Sequence, residues 1–178
     1  FKAMKDGLEK KHNIQSLDGL VGEIPTTESI IRLLKASDVL IYWGHDSVLK
    51  FTRTAKIAKA RFECVVFDMG CNSGRLYRRG TYGVEGKVLS LLMAGSPAIV
   101  SNLWKVSTGD CDIFGERLVK FCAVAEGPVP LNDALSYARA PCDGKRGKSS
   151  GQKEKKIKLA SINGAATVCY GLPVTMKR

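Results

Sequence analysis

The chain has 178 residues, which is enough for one globular domain with a substantial hydrophobic core. Its apolar fraction of 44% argues against wholesale disorder, and no apolar stretch reaches the length of a membrane-spanning helix. The net charge is +11, and the start has neither an initiator Met nor the apolar segment of a signal peptide. We therefore expect one domain, residues 1–178, that is a fragment of a larger protein.

The first half of the chain alternates helical patterns with short apolar runs. Residues 26–36 have apolar side chains at helical spacing behind a capping threonine, Thr26 or Thr27, which predicts a helix. The apolar runs at 39–43 and 64–67 predict two buried strands. Residues 51–59 are basic and mixed, and they predict a surface helix or strand.

The second half continues this alternation. Residues 75–86 are rich in Gly and Tyr, which is typical of a loop, and residues 88–94 predict a helix closed by Gly95. Residues 97–103 predict a third strand, and residues 166–170 predict a last short one. Between them, two further helices are predicted at 110–122 and 131–140, the second capped near Asn132 and stopped by Pro141. The inward face of the first should hold Ile113, Phe114, Leu118, Val119 and Phe121.

A basic segment separates the last helix from the last strand. Residues 145–158 contain seven Lys and Arg residues and one Glu among Gly and Ser, which is over half of the net charge. Nucleic-acid binding by such a segment would need aromatic side chains among the cations, and none occurs there. We predict a flexible basic loop at residues 143–156, with nucleic-acid contact as the less favoured alternative.

The order of elements predicts an α/β fold with a mostly parallel sheet and helices on both faces. Ligand sites in such sheets lie beyond the carboxyl ends of the strands. The first two strands end near His45 and Cys71, and the third ends near Trp104. Because these ends share one edge, the sequence predicts a thiol nucleophile beside an imidazole base, as in a cysteine peptidase.

The cysteine pattern favours free thiols over a metal site. Six cysteines are irregularly spaced with no Cys-x-x-Cys pair, and His12 and His45 are the two imidazoles. We therefore predict no metal and no cofactor. Cys64 and Cys169 fall in apolar runs, which predicts buried thiols in a reducing compartment.

At these residues the chain resembles the separases, caspase-like cysteine proteases that separate sister chromatids at anaphase. The matching segments run in order from about residue 19 to 174: 21–26 (VGEIPT), 42–45 (YWGH), 69–74 (MGCNSG), 93–100 (MAGSPAIV), 102–106 (NLWKV), 110–112 (DCD), 159–166 (LASINGAA) and 170–174 (YGLPV). Singly these motifs are weak, and together in this order they are fairly specific.

The resemblance implies a partner set and a place of action. Family members cleave the kleisin subunit of cohesin after arginine, are inhibited by securin, and act in the cytoplasm and nucleus. They also carry a long helical region before the protease domain. We expect the same substrate, a securin-like inhibitor and a preceding helical region for this chain, and no membrane association.

The resemblance also assigns roles to residues. It makes Cys71 the nucleophile and His45 the general base or acid, which agrees with thiol chemistry. Gly70 allows the tight turn that presents the thiol. The backbone amides of Cys71 and Asp46 are the candidate oxyanion donors.

Selection of arginine needs a carboxylate in the S1 pocket, because a guanidinium pairs bidentately with a carboxylate. The resemblance gives this role to Asp112, with Asp110 beside it. Asp110 also suits the cap of the helix that follows, which is the role we favour for it. Trp104 is predicted to be a core residue whose edge could form a wall of the same pocket.

The sequence departs from the family pattern in two places, beside His45 and near the candidate S1 residues. Asp46 and Val48 stand where the family has glycines, and we expect a left-handed backbone at Asp46, which Asp tolerates better than most residues. The Asp46 carboxylate is also a candidate to orient the His45 ring. Lys105 and Thr108 replace acidic residues, which should weaken the attraction for a basic substrate.

Two alternatives to an active separase stay open. A lone His in a loop and a lone Cys after an apolar run often have only structural roles, so a catalytically inactive scaffold that binds a peptide or protein partner is one. A different caspase-like peptidase of the same clan is the other. The runs Leu-Trp-x-Val and Tyr-Gly-Leu-Pro-Val favour separase over it.

Overall fold

The computed structural model of the protein describes residues 18–78, 80–81, 83–125, 127–140, 143–145, 156–158 and 161–176. The helices among them are α1 (Thr27–Ala36), α2 (Thr54–Ala58), α3 (Lys87–Ala94), α4 (Thr108–Val124), α5 (Leu131–Arg139), α6 (Ser161–Ala166) and a 3₁₀ turn at Val48–Phe51. The strands are β1 (Val39–Tyr42), β2 (Val65–Asp68), β3 (Tyr77–Arg78), β4 (Val84–Glu85), β5 (Ala98–Asn102), β6 (Val129–Pro130), β7 (Asp143–Lys145), β8 (Lys156–Lys158), β9 (Thr167–Gly171) and β10 (Thr175–Met176). Within these residues no helix combines the length and apolar character needed to cross a membrane.

The main sheet has four strands in the order β1-β2-β5-β9. The first three are parallel, with Tyr42 opposite Asp68 and Asp68 opposite Ser101, while β9 runs antiparallel to β5. The parallel strands therefore end level with one another at one edge. This is the mostly parallel α/β sheet that the sequence predicts.

Alternation along the central strands gives the sheet two hydrophobic faces. Val65 and Phe67 of β2 point to a cluster that contains Phe114 and Leu118 of α4, together with residues of α5. Val66, between them, points to a second cluster, whose other members include residues of α1, α2 and α3: Ile30, Leu34, Ile57, Val88, Leu91 and Ala94. Both faces are thus covered by helices, and the period of two in β2 is the physical cause.

The caps that the sequence predicts at helix ends are present for two helices and absent for a third. Thr26 caps α1 by accepting a hydrogen bond from the Ser29 amide at 3.1 Å. Gly95 closes α3 with φ of 109°, in the left-handed region. The expected cap of α5 near Asn132 is wrong: the residue at that position is Pro130, and no side chain caps the helix.

Two expected loops differ from the structure. Residues 75–86 contain a short antiparallel ladder, β3 with β4, rather than an unpaired loop. The ends of the expected basic loop pair as β7 and β8, while residues 146–155, with most of that loop, lie outside the described residues. Its predicted flexibility and nucleic-acid contact therefore stay predictions.

Of the two cysteines that were expected to be buried, Cys64 and Cys169, one is buried in the structure. Cys64 is buried with 1% of its surface exposed, whereas Cys169, on β9, is only partly buried. Cys64, Cys71, Cys111, Cys122 and Cys169 are free thiols in the described part of the chain.

Candidate active site

The turn after β1 carries His45 on the exposed surface at the carboxyl edge of the sheet. The Tyr42 hydroxyl, from the end of β1, donates to the His45 carbonyl at 3.0 Å. Asp46 follows with φ of 67°, which is the left-handed conformation foreseen for a residue in place of glycine. The buried Ser47 then caps the 3₁₀ turn by accepting from the Leu49 amide at 3.1 Å.

The turn after β2 carries Cys71, whose side chain is partly exposed. The next residue, Asn72, has φ of 58°, and this left-handed residue reverses the chain beyond the thiol. Buried Asn102, the last residue of β5, holds the turn by donating from Nδ2 to the Gly70 carbonyl at 3.2 Å. The Ser73 hydroxyl donates to the Asp68 carbonyl at 2.7 Å, so both ends of the turn are fixed.

These two turns pack directly on each other. The Met69 amide donates to the Tyr42 carbonyl at 3.0 Å, which continues the β1–β2 ladder into the turns. Gly70 lies so close to the Asp46 carbonyl that a side chain at position 70 would overlap that group. The structure therefore brings the segments that carry His45 and Cys71 together at one edge, as the sequence predicts.

A buried carboxylate joins the two turns from below. Asp68, 1% exposed, accepts from the Ser47 hydroxyl at 2.6 Å and from the Val48 amide at 3.2 Å on each oxygen. Burial raises the pKa of Asp68 to about 7, although the hydrogen bonds from Ser47, Val48 and Gly70 oppose that rise. This carboxylate therefore titrates near neutral pH while it contacts both turns.

The third side of the site is the segment between β5 and α4. The Cys71 thiol donates to the Val106 carbonyl at 3.4 Å, and the Asn72 amide donates to the Trp104 carbonyl at 3.3 Å. Trp104 is 38% exposed. The candidate pocket wall and the start of α4 therefore lie beside the candidate nucleophile.

The first turn of α4 presents the two candidate S1 carboxylates. Ser107 caps the helix by accepting from the Asp110 amide at 3.2 Å. One oxygen of Asp110 also accepts from the Ser107 hydroxyl at 2.8 Å and from Asn163 Nδ2 at 2.5 Å, so this carboxylate is tied into the helix end. Asp112 is exposed. This geometry favours a capping role for Asp110 and leaves Asp112 as the S1 candidate.

Cys111 is the second thiol at this junction. Its Sγ donates to the Met69 carbonyl at 2.8 Å, two residues before Cys71. Burial raises the pKa of Cys111 to about 12, and the charges of Asp112 and Cys71 act in the same direction. Cys111 is therefore a protonated packing group beside the site rather than a second nucleophile.

With this geometry, the comparisons with known proteins decide the family. The model of the family described as separin, protease domain, matches residues 2–113, which is more than half of the chain. The chain belongs to the separin family.

Several separins share about the same identity with it. The chain is 30% identical to the separin of Schizosaccharomyces pombe over 155 residues, which is 87% of this chain and 8% of that protein. It is 30% identical to the Emericella nidulans separin over 185 residues and to the Mus musculus separin over 159 residues, covering 97% and 89% of this chain and 8% and 7% of those proteins. The chain thus spans less than a tenth of the length of these relatives.

Solved structures give the same fold. A crystal structure of the Saccharomyces cerevisiae separase–securin complex matches 99% of this chain and 11% of that chain, with a TM-score of 0.75 and 25% identity. A second structure of that complex matches 97% of this chain and 11% of that chain, with a TM-score of 0.75 and 24% identity. The caspase-like α/β fold predicted from the sequence is therefore confirmed.

The Asp46 carboxylate has a different partner from the His45 ring, for which it was a candidate. Its Oδ1 pairs with Lys87 Nζ, at the start of α3, at 2.8 Å, with 41% and 35% of the two side chains exposed. The carboxylate is therefore directed to α3, and not to the His45 ring that we considered.

Sequence reasoning missed the residues that support this separin site. Asp68, Ser47, Asn102 and Lys87 had no assigned role. Asp68 had a usable signal, since an acidic residue directly after the apolar run at 64–67 must either leave the core or find donors there. Ser47 and Lys87 gave none, because their partners are 21 and 41 residues away.

Proposed function

We propose that this chain is the protease domain of a cysteine endopeptidase that cleaves after arginine in the kleisin subunit of cohesin and so releases sister chromatids at anaphase. The observation that carries the proposal is the packing of Gly70 on the Asp46 carbonyl, which joins the His45 turn to the Cys71 turn. Membership in the separin family supports the substrate class.

The chemistry assigns each group one role. The Cys71 thiolate attacks the scissile carbonyl carbon, and the His45 imidazolium gives its proton to the leaving amine. Water then hydrolyses the acyl-enzyme with His45 as the base. Among the described residues, the Cys71 and Asp46 amides donate to no protein acceptor, so both N–H groups are available to the oxyanion.

Recognition of arginine is assigned to the start of α4. Asp112 is an exposed carboxylate near the start of this helix, and Trp104 is an exposed aromatic side chain on the segment that precedes it. A guanidinium pairs bidentately with a carboxylate and stacks on an aromatic face, so both groups suit an arginine side chain. Lys105 is exposed beside them and offsets part of this attraction.

A securin-like inhibitor is the proposed regulatory partner, because the matched yeast structures are separase–securin complexes. We also propose a helical region before this domain, in the same polypeptide, as a partner, because the chain spans only 8% of the Schizosaccharomyces pombe separin. Action in the cytoplasm and nucleus is part of the same proposal.

The test is the Cys71→Ala variant of the full-length protein. We expect cleavage of an arginine-containing peptide to vanish, because the nucleophile is removed. Cys122→Ala is the matched control, since this partly buried thiol lies at the other end of α4. Cleavage that survives in Cys71→Ala would overturn the assignment of the nucleophile.

The inactive scaffold is a second candidate, favoured by one observation: Asp46 occupies a left-handed position where the family has glycine. It predicts that an arginyl acyloxymethyl ketone does not label Cys71 in the intact wild-type protein. Labelling at Cys71, located by mass spectrometry, would eliminate the scaffold.

A further inference from the structure

The buried pair of Asp68 and Ser47 is a side-chain link between the two active-site turns. Asp68 ends β2, three residues before Cys71, and Ser47 lies two residues after His45. Both residues are 1% exposed, and their side-chain oxygens are 2.6 Å apart. Such a short bond to a buried carboxylate is strong, because little water competes for it.

Each member of the pair also holds its own turn. The Ser47 hydroxyl accepts from the Leu49 amide at 3.1 Å, which ties it to the 3₁₀ turn. On the Cys71 turn, the Ser73 hydroxyl donates to the Asp68 carbonyl at 2.7 Å, and the Asp68 carboxylate also accepts from the Val48 amide of the His45 turn. A change in the bond between Asp68 and Ser47 is therefore transmitted to the backbone on which His45 and Cys71 are placed.

We propose that Asp68 and Ser47 are positioning residues, which set the register of the His45 turn against the Cys71 turn. This inference rests on the proposed function of the site and adds two residues that do not touch the substrate. A misplacement of reacting groups by about 1 Å can cost roughly 100-fold in rate, so such a pair can control catalysis without taking part in it.

The protonation state of Asp68 is part of this role. Burial is the largest cause that raises its pKa to about 7, and Ser47 is the largest cause that opposes the rise. Other charged or titratable groups act across the same region. Lys87 from α3 lowers the pKa of Asp68, and the Asp68 charge in turn raises the pKa of Tyr42 on β1 and of Cys111 on α4. As pH rises through the neutral range, the carboxylate becomes able to accept from every donor at once.

The experiment compares Ser47→Ala with Ser96→Ala in the full-length protein. Ser96 is a matched control, because it is also a buried serine and its hydroxyl donates to the Cys64 carbonyl at 2.7 Å, before β2 begins. For Ser47→Ala we expect kcat on an arginine peptide to fall roughly 10- to 100-fold with little change in KM. Ser96→Ala should retain the wild-type values.

A pH profile separates positioning from simple loss of stability. Without the Ser47 donor the pKa of Asp68 rises, so the rising limb of the kcat profile and of Cys71 alkylation by iodoacetamide should move to higher pH. Asp68→Asn should remove that inflection, and Ser47→Thr, which keeps the hydroxyl, should restore it. Equal profiles for Ser47→Ala and Ser96→Ala would overturn the proposal.

The two proposals fail in different ways. A wild-type protein that cleaves no arginine peptide refutes the proposed function, while the alkylation profile of Cys71 still tests the positioning pair. A wild-type protein that cleaves the peptide, with Ser47→Ala equal to wild type in both readouts, refutes the pair alone.

Discussion

At the scale of single residues, Gly70 determines how closely the two active-site turns approach. A Cβ at this position would overlap the Asp46 carbonyl group and lie 3.3 Å from the Ser47 amide nitrogen. Both neighbours are backbone atoms, so neither can move aside as a flexible side chain would. The requirement for glycine here comes from contact, since Gly70 is not among the residues with positive φ.

We therefore expect Gly70→Ala to reduce kcat on an arginine peptide by roughly 100-fold or more, because it separates the imidazole from the thiol. Steady-state kinetics with circular dichroism would measure the loss in folded protein. Gly83→Ala is the control, since a Cβ there meets no atom within 4 Å. Equal activity of the two variants would show that the turns are not in close contact.

Asp46 is a second residue that shapes the His45 turn, because it adopts the left-handed backbone conformation that glycine usually supplies. Its left-handed backbone costs about 1 kcal/mol relative to glycine, and its half-exposed ion pair with Lys87 stabilises by about 0–1 kcal/mol. The net cost is therefore about 0–1 kcal/mol, which is small enough for the fold to accommodate this departure from the family pattern.

We expect Asp46→Gly to change the free energy of unfolding by less than about 1 kcal/mol and to retain kcat, since glycine can keep the backbone path. Lys87→Met keeps the strained residue and loses the pair, so it should be the less stable variant. Urea denaturation of both variants would measure this order. The reverse order would mean that the ion pair contributes nothing.

At the scale of elements, α4 is the helix to which we assign the proposed arginine specificity. Its N-terminal turn lies beside Cys71, and its body packs under the sheet. A Cβ added at Gly115 would lie only 2.8 Å from the indole nitrogen of Trp43, so the glycine allows this close packing. Its first turn is fixed by the Ser107 cap and the Asp110 carboxylate. The direction of the Asp112 side chain depends on that turn.

Ser107→Ala should lower the free energy of unfolding by about 1 kcal/mol, the usual cost of a lost N-cap. Because the freed turn carries Asp112, KM for an arginine peptide should rise more than kcat falls. Ser136→Ala, which loses a hydroxyl bond to the Asn132 carbonyl at an exposed position of α5, is the matched control. An unchanged KM would remove the start of α4 from substrate recognition.

The elements that the sequence predicts well are those with strong local signals. Apolar runs place β1, β2 and β5, and apolar periodicity with a cap places α1 and α3. The direction of β9 and the β3–β4 ladder were beyond reach, because pairing depends on tertiary contacts. Helix α4 begins at Thr108, two residues earlier than expected, because Ser107 is the N-cap and accepts from the Asp110 amide.

The same division applies to the candidate site. His45 and Cys71 were predictable, because both follow an apolar run and a glycine. The support beneath them was not, since Asp68 and Ser47 are brought together by the pairing of β1 with β2. Local sequence patterns can identify the ends of strands. A buried polar pair such as Asp68 and Ser47 forms only when two strands pair, so no local pattern predicts it.

At the scale of the whole molecule, Asp68 makes stability depend on pH. Its pKa is about 7 in the folded state and 3.8 as an ordinary carboxyl, so the folded protein binds the proton more tightly than the unfolded chain. The stabilisation from this group is present below about pH 4 and is lost as pH rises towards 7, by about 1.4 kcal/mol per pH unit at most.

In Asp68→Asn the free energy of unfolding should therefore fall less steeply between about pH 4 and pH 7 than it does in the wild-type protein. Denaturant titrations of the full-length protein at several pH values would measure the slope. Asp133→Asn, at an exposed carboxylate on α5, should leave the slope as in wild type. A slope that persists in Asp68→Asn would assign the pH dependence to other groups.

The two tryptophans of this domain follow two strands of the main sheet, Trp43 after β1 and Trp104 after β5. Trp43 is partly buried against Gly115 at the tip of β1, and Trp104 is 38% exposed next to the Cys71 turn. An indole emits further to the red when water surrounds it, so the two rings should differ in emission maximum. We therefore expect a ligand in the proposed pocket to change the red component of the emission more than the blue one.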